Sequence, residues 1–260
     1  MGRAFVNGIH LRYESEGEGF PIVAITGKDG SMDWWHPAIK SALSAGNRLI
    51  MLDNRGTGGS DRPAEPYGIA DMAKDVVGLF NVLGIDKAHL LGQSMGGMIA
   101  QEIAIEHPER VEKLILCSTT CGVRRALPTF RMIRWLARKP AEFDSRAALA
   151  MLFSDAYIRD NPEEIADLVE RMSGSPPGAA TMAMHKQASA SFDSFDRLGR
   201  IEAPTLIIHG EDDWVFRPKH AEMLHKRIFN SRLVTYPRAG HGVLSQERLK
   251  ALEEIRRFID

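Results

Sequence analysis

Cysteine is nearly missing: Cys117 and Cys121 are the two in 260 residues. Two close thiols make no disulfide framework, and no His/Cys spacing of the zinc type accompanies them. No apolar run approaches the length needed to span a bilayer. The opening Met1-Gly2-Arg3-Ala4-Phe5-Val6-Asn7-Gly8 lacks the apolar core of a secretion signal. An excess of one charge is missing too. Lys and Arg number 33 against 34 Asp and Glu, a net charge of −1, so no global field gathers nucleic acid or an anionic surface. There is no internal repeat and no low-complexity segment. What remains is 44% hydrophobic and 26% charged, an ordinary composition that supports a large core in one or two domains. The expectation is a cytoplasmic protein, monomer or homodimer. Its partner is a small molecule, with no nucleic acid, membrane, cofactor or metal.

Apolar periodicity organises the chain. Phe5-Val6 and Ile9-His10-Leu11-Arg12-Tyr13 flank Asn7-Gly8, a hairpin signal. Strand-like runs follow at Ile22-Val23-Ala24-Ile25, Leu49-Ile50-Met51-Leu52, Ala88-His89-Leu90-Leu91, Leu114-Ile115-Leu116-Cys117, Thr205-Leu206-Ile207-Ile208 and Leu233-Val234-Thr235-Tyr236. Helical patterns lie around 34–44, 69–83, 97–107 and 219–228, with a last one at 248–259. Short strands that are apolar on both sides and alternate with helices predict an α/β fold: a mostly parallel sheet with helices on both faces. One interval breaks the alternation. Four helical stretches, 127–137, 145–153, 162–173 and 179–192, replace the strands, punctuated by Pro140, Pro162, Pro176-Pro177 and Gly178. The expected organisation is a core of residues 1–119 and 204–260 and a helical cap of 120–203. The cap roofs the carboxyl ends of the strands, where open α/β sheets bind ligands.

The chemistry concentrates at Gly92-Gln93-Ser94-Met95-Gly96, set between a strand and a helix. A Gly-x-Ser-x-Gly turn in that context is a nucleophile elbow, which lifts the serine hydroxyl above the strand end. A hydroxyl needs a base, and the base an orienting group. Pro237-Arg238-Ala239-Gly240-His241-Gly242 follows the last strand, and among nine histidines His241 alone sits in a Gly-flanked loop after a strand. His220 and His225 fall on a polar helix and His107 at a helix end, all three read as solvated. The acid is left open by spacing, because His209-Gly210-Glu211-Asp212-Asp213 offers three carboxylates. After the preceding strand, Ser118-Thr119-Thr120 offers none.

With these residues the chain resembles the α/β-hydrolases over nearly its whole length. The order Ser94, Asp213, His241 is the family order of nucleophile, acid and histidine. Asp53-Asn54-Arg55-Gly56-Thr57-Gly58-Gly59-Ser60 resembles the Asp-x-Arg-Gly-x-Gly-x-Ser turn after the family's fourth strand, where Asp53 and Arg55 hold the turn by hydrogen bonds. In His209-Gly210-x-x-Asp213 the family's acid falls three residues after the glycine, which selects Asp213. The resemblance implies an oxyanion hole from the backbone N–H groups of Met95 and Lys28. Thr26-Gly27-Lys28 departs from the family's common His-Gly-apolar pattern. The ammonium so introduced either recognises a substrate carboxylate, or points to solvent or pairs with Asp29, and the latter reading is preferred. Trp34, Trp35, Trp135 and Trp214 are candidate substrate walls. In the cap, Phe130, Met132, Phe153, Met172, Met182, Met184 and Phe192 are either walls or helix core, the latter preferred. Arg124, Arg125, Arg131, Arg134, Arg138 and Lys139, with no acid until Glu142, read as a solvated basic face.

Serine at position 94 also sets the reaction type, since the dehalogenases and epoxide hydrolases of this family carry aspartate there. The resemblance to the 3-oxoadipate enol-lactonase-like branch and related carboxylesterases implies ester or lactone hydrolysis through an acyl-enzyme. The alternatives are a carbon–carbon bond hydrolase of ring-cleavage products, a cofactor-free perhydrolase or haloperoxidase, and a small-molecule receptor.

Overall fold

Asn7 and Gly8 decide how the sheet begins. Both take positive φ, 47° and 79°, the signature of a two-residue hairpin turn that matches strand twist. The turn joins β1 (Gly2–Val6) to β2 (Ile9–Glu16), with Val6 opposite Ile9. The computed structural model describes residues 1–125, 129–136 and 143–260, with side chains for all of these except 132, 135 and 136. From the hairpin onward, β2 runs antiparallel to β4 (Asn47–Leu52), and every later pairing is parallel. The remaining strands are β3 (Phe20–Ile25), β5 (Ala88–Gln93), β6 (Val111–Cys117), β7 (Thr205–Gly210) and β8 (Ser231–Tyr236). The spatial order is β1-β2-β4-β3-β5-β6-β7-β8. After β3 the chain crosses to one side for β4 and to the other for β5. That reversal opens a crevice at the carboxyl ends of β3 and β5.

Alternate residues of the central strands feed two cores, one on each face. Val23, Ile25, Ile50, Leu52, Leu90 and Leu116 pack with α2 (Ile69–Val82), α3 (Met95–Glu106) and α9 (Pro218–Arg227). Ile22, Ala24, Leu49, Met51, Leu91 and Ile115 pack with α1 (Pro37–Ser44), α10 (Val243–Gln246) and α11 (Arg248–Ile259). Helix α3 is buried from Met95 to Ile105 on all sides, so it is a core element with no solvent face. The helix expected from residue 34 starts later. Met32–Trp34 forms one 3-10 turn, and α1 begins at Pro37. Proline bars helical backbone at the preceding residue, and His36 instead caps α1, its Nδ1 accepting the Ala38 N–H at 3.0 Å.

Between β6 and β7 lie α4 (Phe130–Leu136), α5 (Ser145–Leu152), α6 (Asp155–Asp160), α7 (Pro162–Ser173) and α8 (Ala179–Ser191). Four helices were expected here, and among the described residues there are five. The extra one, α6, is short and polar, and it survives on local caps: Ser154 Oγ accepts the Tyr157 N–H at 3.2 Å. Leu127 and Ala137, the expected limits of the first helix, lie outside the described residues. Ala148, Leu149, Phe153, Ile165, Leu168 and Met172 form a separate apolar centre for the inserted helices. The two ends of the insertion meet. Gly122 bridges to Asp193, the Ser194 N–H donates to Cys121 O at 2.8 Å, and Arg125 binds Asp193 at 2.7 Å and Asp196 at 3.2 Å. Part of the basic face therefore finds its acids at the far end of the same insertion.

His220 corrects the reading of a polar, solvated helix. It is buried on α9 with its Nδ1 2.7 Å from Thr120 Oγ1. Burial pushes His220, and likewise His89 on β5, down to about 4 from 6.5. Such a histidine takes up its proton in the unfolded chain first, so its contribution is intact above pH 6.5 and is lost progressively as pH falls toward 4. Urea melts are expected to lose on the order of 3 kcal/mol per histidine over this window. His220→Gln should flatten the slope, and an unchanged slope would show that the burial of His220 is not coupled to folding.

Candidate active site

Ser94 is held in a backbone conformation that its own side chain disfavours, with φ 55° and ψ −119°. Strain of this kind costs about 1–3 kcal/mol and persists only where the surroundings impose it. Here they do. The Ser94 N–H donates to Cys117 O at 2.9 Å, and its carbonyl accepts from Thr119 Oγ1 at 2.6 Å and from the Gly97 N–H at 3.0 Å. Strand and helix cross too closely for side chains: a Cβ on Gly92 would strike the Gly96 carbonyl, and one on Gly96 the Ile25 carbonyl. Met95 opens α3, so its N–H has no intrahelical acceptor.

His241 reaches this serine from the loop after β8. The loop is fixed on both sides of the histidine, by Gly240 N–H to Gln246 Oε1 and Gly242 N–H to Leu152 O, both 2.7 Å. The second bond comes from the end of inserted helix α5. Gly210 lets the loop approach, since a Cβ there would meet the carbonyls of Ala239 and Gly240. His241 Nε2 then lies 2.9 Å from Ser94 Oγ, and its Nδ1 lies 2.8 Å from Asp213 Oδ2. A carboxylate only accepts, so Nδ1 carries the hydrogen and Nε2 is left bare toward the hydroxyl, the arrangement of a base.

Of the three carboxylates, the structure brings Asp213 to His241. Glu211 and Asp212 are exposed, whereas Asp213 is 2% exposed and faces His241. Asp213 Oδ1 accepts the Val215 and Phe216 N–H groups at 2.8 and 2.9 Å, which fixes the carboxylate plane. Sequence reasoning gave no role to His209. Its Nε2 donates to Phe216 O at 2.7 Å and lies 3.5 Å from Asp213 Oδ2, and burial keeps its pKa below the ordinary histidine value. It braces both the carboxylate and the turn that binds it.

The loop after β3 closes the other side. Gly27 abuts the nucleophile, a Cβ there lying 3.1 Å from Ser94 Cβ. Thr26, the residue in the place of the family's common histidine, donates through Oγ1 to Gly30 O at 3.1 Å and accepts Asn54 Nδ2 on its carbonyl at 3.2 Å. Lys28 Nζ pairs with the buried Asp29 carboxylate, as preferred from sequence. Asp29 is thus buried between this ammonium and the His185 ring. Asp53 accepts Met32 N–H at 2.7 Å, Gly59 N–H at 2.8 Å and Arg12 at 3.2 Å, and Arg55 binds Asp75 through Nε at 2.6 Å. Both therefore hold their turn.

The candidate walls separate. Trp34 packs against Phe143 and the inserted helices, 5.8 Å between ring centres. Trp214 lies beneath Arg131, whose guanidinium is 4.5 Å from the ring. Trp35 is built into the lower core with Met32, Ile39 and Leu43, supporting the loop rather than lining it. Phe130 is 75% exposed on α4, which corrects its candidacy as a wall. Phe153, Met172 and Phe192 are buried, and Met182 and Met184 are half-buried. The side chains of Met132 and Trp135, and residues Arg138, Lys139, Pro140 and Glu142, lie outside the described residues.

Over most of its length the chain is similar to known proteins. The family model described as alpha/beta hydrolase fold matches residues 21–247. "Putative carbamate hydrolase RutD" of Variovorax paradoxus (strain S110) is 30% identical, with 89% of each chain covered. A 2-hydroxy-6-oxononadienedioate/2-hydroxy-6-oxononatrienedioate hydrolase of Comamonas testosteroni is also 30% identical, covering 90% of this chain and 84% of that one. The crystal structure of the enol-lactonase from Burkholderia xenovorans LB400 superposes with a TM-score of 0.89 at 27% identity, with 99% of both chains covered.

The tight crossing yields a prediction about folding. Gly92→Ala should lower stability by more than about 3 kcal/mol or abolish soluble expression, because the added methyl meets backbone on a core helix. A Gly92→Ala protein that melts at the wild-type temperature would show that the crossing has room to relax.

Proposed function

The chain belongs to the alpha/beta hydrolase fold family, and we propose that within it the protein is a serine hydrolase that opens a carboxylic ester or lactone through an acyl-enzyme. The observation that carries the reading is the continuous hydrogen-bonded line from Ser94 through His241 to Asp213, at 2.9 and 2.8 Å. In this mechanism Ser94 Oγ attacks the substrate carbonyl carbon as His241 Nε2 takes the hydroxyl proton. Asp213 holds the imidazole and stabilises the imidazolium. The carbonyl oxygen, now negative, is received by the backbone N–H groups of Lys28 and Met95. Losing one donor of this kind costs about 3–4 kcal/mol in the barrier. The tetrahedral species collapses, the C–O bond breaks, and the leaving oxygen takes the proton back from His241. In a lactone that oxygen stays on the acyl chain. Water, deprotonated by His241, then releases the acid and restores Ser94.

The helices between β6 and β7 serve in this reading as a cap, 120–203, over a core of 1–119 and 204–260. Trp34 and Trp214 are its wall residues nearest the two loops of the site. The Lys28–Asp29 ion pair supports a backbone rather than an ammonium role for Lys28. The likeness to a ring-cleavage product hydrolase favours one second reading, carbon–carbon hydrolysis with the same nucleophile.

The test is turnover of p-nitrophenyl acetate, butyrate and octanoate, with mass spectrometry of the acyl-protein. The wild type should hydrolyse at least one ester, and Ser94→Ala should lose roughly 1000-fold or more in kcat/KM and carry no acyl mass. Asp213→Asn should also fall steeply while still folding. Full activity in Ser94→Ala would sink the proposal. A folded wild type that cleaves no ester but consumes a ring-cleavage dienoate would move the assignment to carbon–carbon chemistry.

A further inference from the structure

His185 is the one histidine of inserted helix α8, and it is 0% exposed. Neither the elbow nor the acid–histidine pair uses it. Its two ring nitrogens nevertheless reach two different loops of the core. Nδ1 accepts the Asp29 N–H at 3.1 Å, and Nε2 lies 3.0 Å from the Arg55 carbonyl. A carbonyl cannot donate, so Nε2 carries the hydrogen and Nδ1 is the bare acceptor. Arg55 is itself locked to Asp75. One turn earlier on α8, Thr181 Oγ1 donates to Gly56 O at 3.1 Å. Tyr67 stands edge-on to the imidazole, 5.9 Å between ring centres.

We propose that His185 is a positioning residue for the loop that binds the substrate's oxyanion, acting from the insertion on the Lys28–Asp29 peptide. The inference rests on the serine-hydrolase reading, in which the Lys28 N–H is an oxyanion donor. Residues Gly27 to Gly30 form a tight turn, Gly30 N–H donating to Gly27 O at 3.3 Å. Asp29 is its third residue and has φ 65°. That position of a type II turn prefers glycine, and a side chain there is strained. The common alternative turn has the Lys28–Asp29 peptide flipped by about half a revolution. A long closing bond does not by itself choose between the two. His185 does, because only one orientation presents the Asp29 N–H to Nδ1. The other orientation leaves that N–H and Nδ1 without their partners in a buried site. The turn lies directly against Ser94. The Lys28 N–H belongs to the peptide just before the one His185 holds, so anchoring the Asp29 amide fixes the short turn that carries it.

Nδ1 is also 3.3 Å from Asp29 Oδ1, a buried oxygen with no hydrogen-bond partner. A second proton on the imidazole would therefore reverse the arrangement, with Nδ1–H donating to Oδ1 and the Asp29 N–H losing its acceptor.

Three substitutions separate the two ends of the ring. His185→Asn keeps an acceptor near Nδ1, His185→Gln keeps a donor near Nε2, and His185→Phe keeps only the volume. The readouts are kcat and KM on the best p-nitrophenyl ester, inhibition by phenylboronic acid (which forms a tetrahedral adduct with the serine), and the melting temperature. His185→Gln and His185→Phe should lower kcat by about 10- to 100-fold with KM within about threefold, and weaken boronate by a similar factor. His185→Asn should recover most of both. Equal activity in all variants, equal loss in His185→Asn, or a loss carried by KM with boronate unaffected would overturn the proposal. Should the variants not fold, nitrogen-15 shifts of wild-type His185 decide. A bare Nδ1 with a slowly exchanging Asp29 amide supports it, and a protonated Nδ1 refutes it. A wild type that neither turns over esters nor acquires an acyl group on Ser94 removes the reading beneath the inference, and the inference with it. That result is visible before any His185 variant is made.

Discussion

The closeness of β5 to α3 is the constraint on which the remaining structure depends. Glycine at 92 and 96 lets a strand end, a strained residue and a helix start share a space that admits no Cβ. The strain on Ser94 is localised because its own N–H and C=O are tied to β6 and to Thr119. Everything else converges on that fixed hydroxyl. The loop after β8 brings His241, the turn after β7 presents Asp213, and the loop after β3 lays Gly27 against the serine. Each arrives from the carboxyl end of a different parallel strand, where the reversal of strand order leaves a crevice.

Much of this was legible in the chain, and the reasons differ by residue. Ser94 and His241 are readable because glycines surround them, and glycine marks where backbone must come close. The strands are readable because both faces are buried and the runs are apolar throughout. Asp213 is not readable from spacing, since three successive carboxylates satisfy it equally. Only resemblance chooses among them, and the physical reason is non-local: burial at the His241 loop and two amides of Val215 and Phe216. His220 was misread for a related cause. Helix periodicity reports which face is polar, and His220 is polar but turned toward Thr120, a hundred positions earlier. His185 sits in an alanine- and methionine-rich helix with weak periodicity, so nothing local marks its burial. Helix α6 is too short for periodicity to register.

The charged groups divide into two populations. Asp53, Asp75, Arg55 and Asp29 are buried, and each is paired or hydrogen-bonded at a turn. Removing one partner from such a pair leaves an uncompensated charge and costs more than the pair contributes. The insertion's Arg125 is instead a surface ion pair, and pairs of that kind hold geometry at small net gain. The site's architecture thus rests on buried electrostatics beneath the serine, while the insertion is fastened by its own apolar centre, by Ala188 and Phe192 packed into the main core, and by a few hydrogen bonds.

Gly122 and Asp193 stand side by side, so the polypeptide leaves the core and returns to it at nearly one point. A segment with touching ends imposes little closure cost, and that cost grows only slowly with length. The core can consequently exchange the segment between β6 and β7 for another of different size without repaying for its own fold. A transplanted segment would have to replace the acceptors that the present one offers to the amides of Asp29 and Gly242, and the hydroxyl that Thr181 places on Gly56.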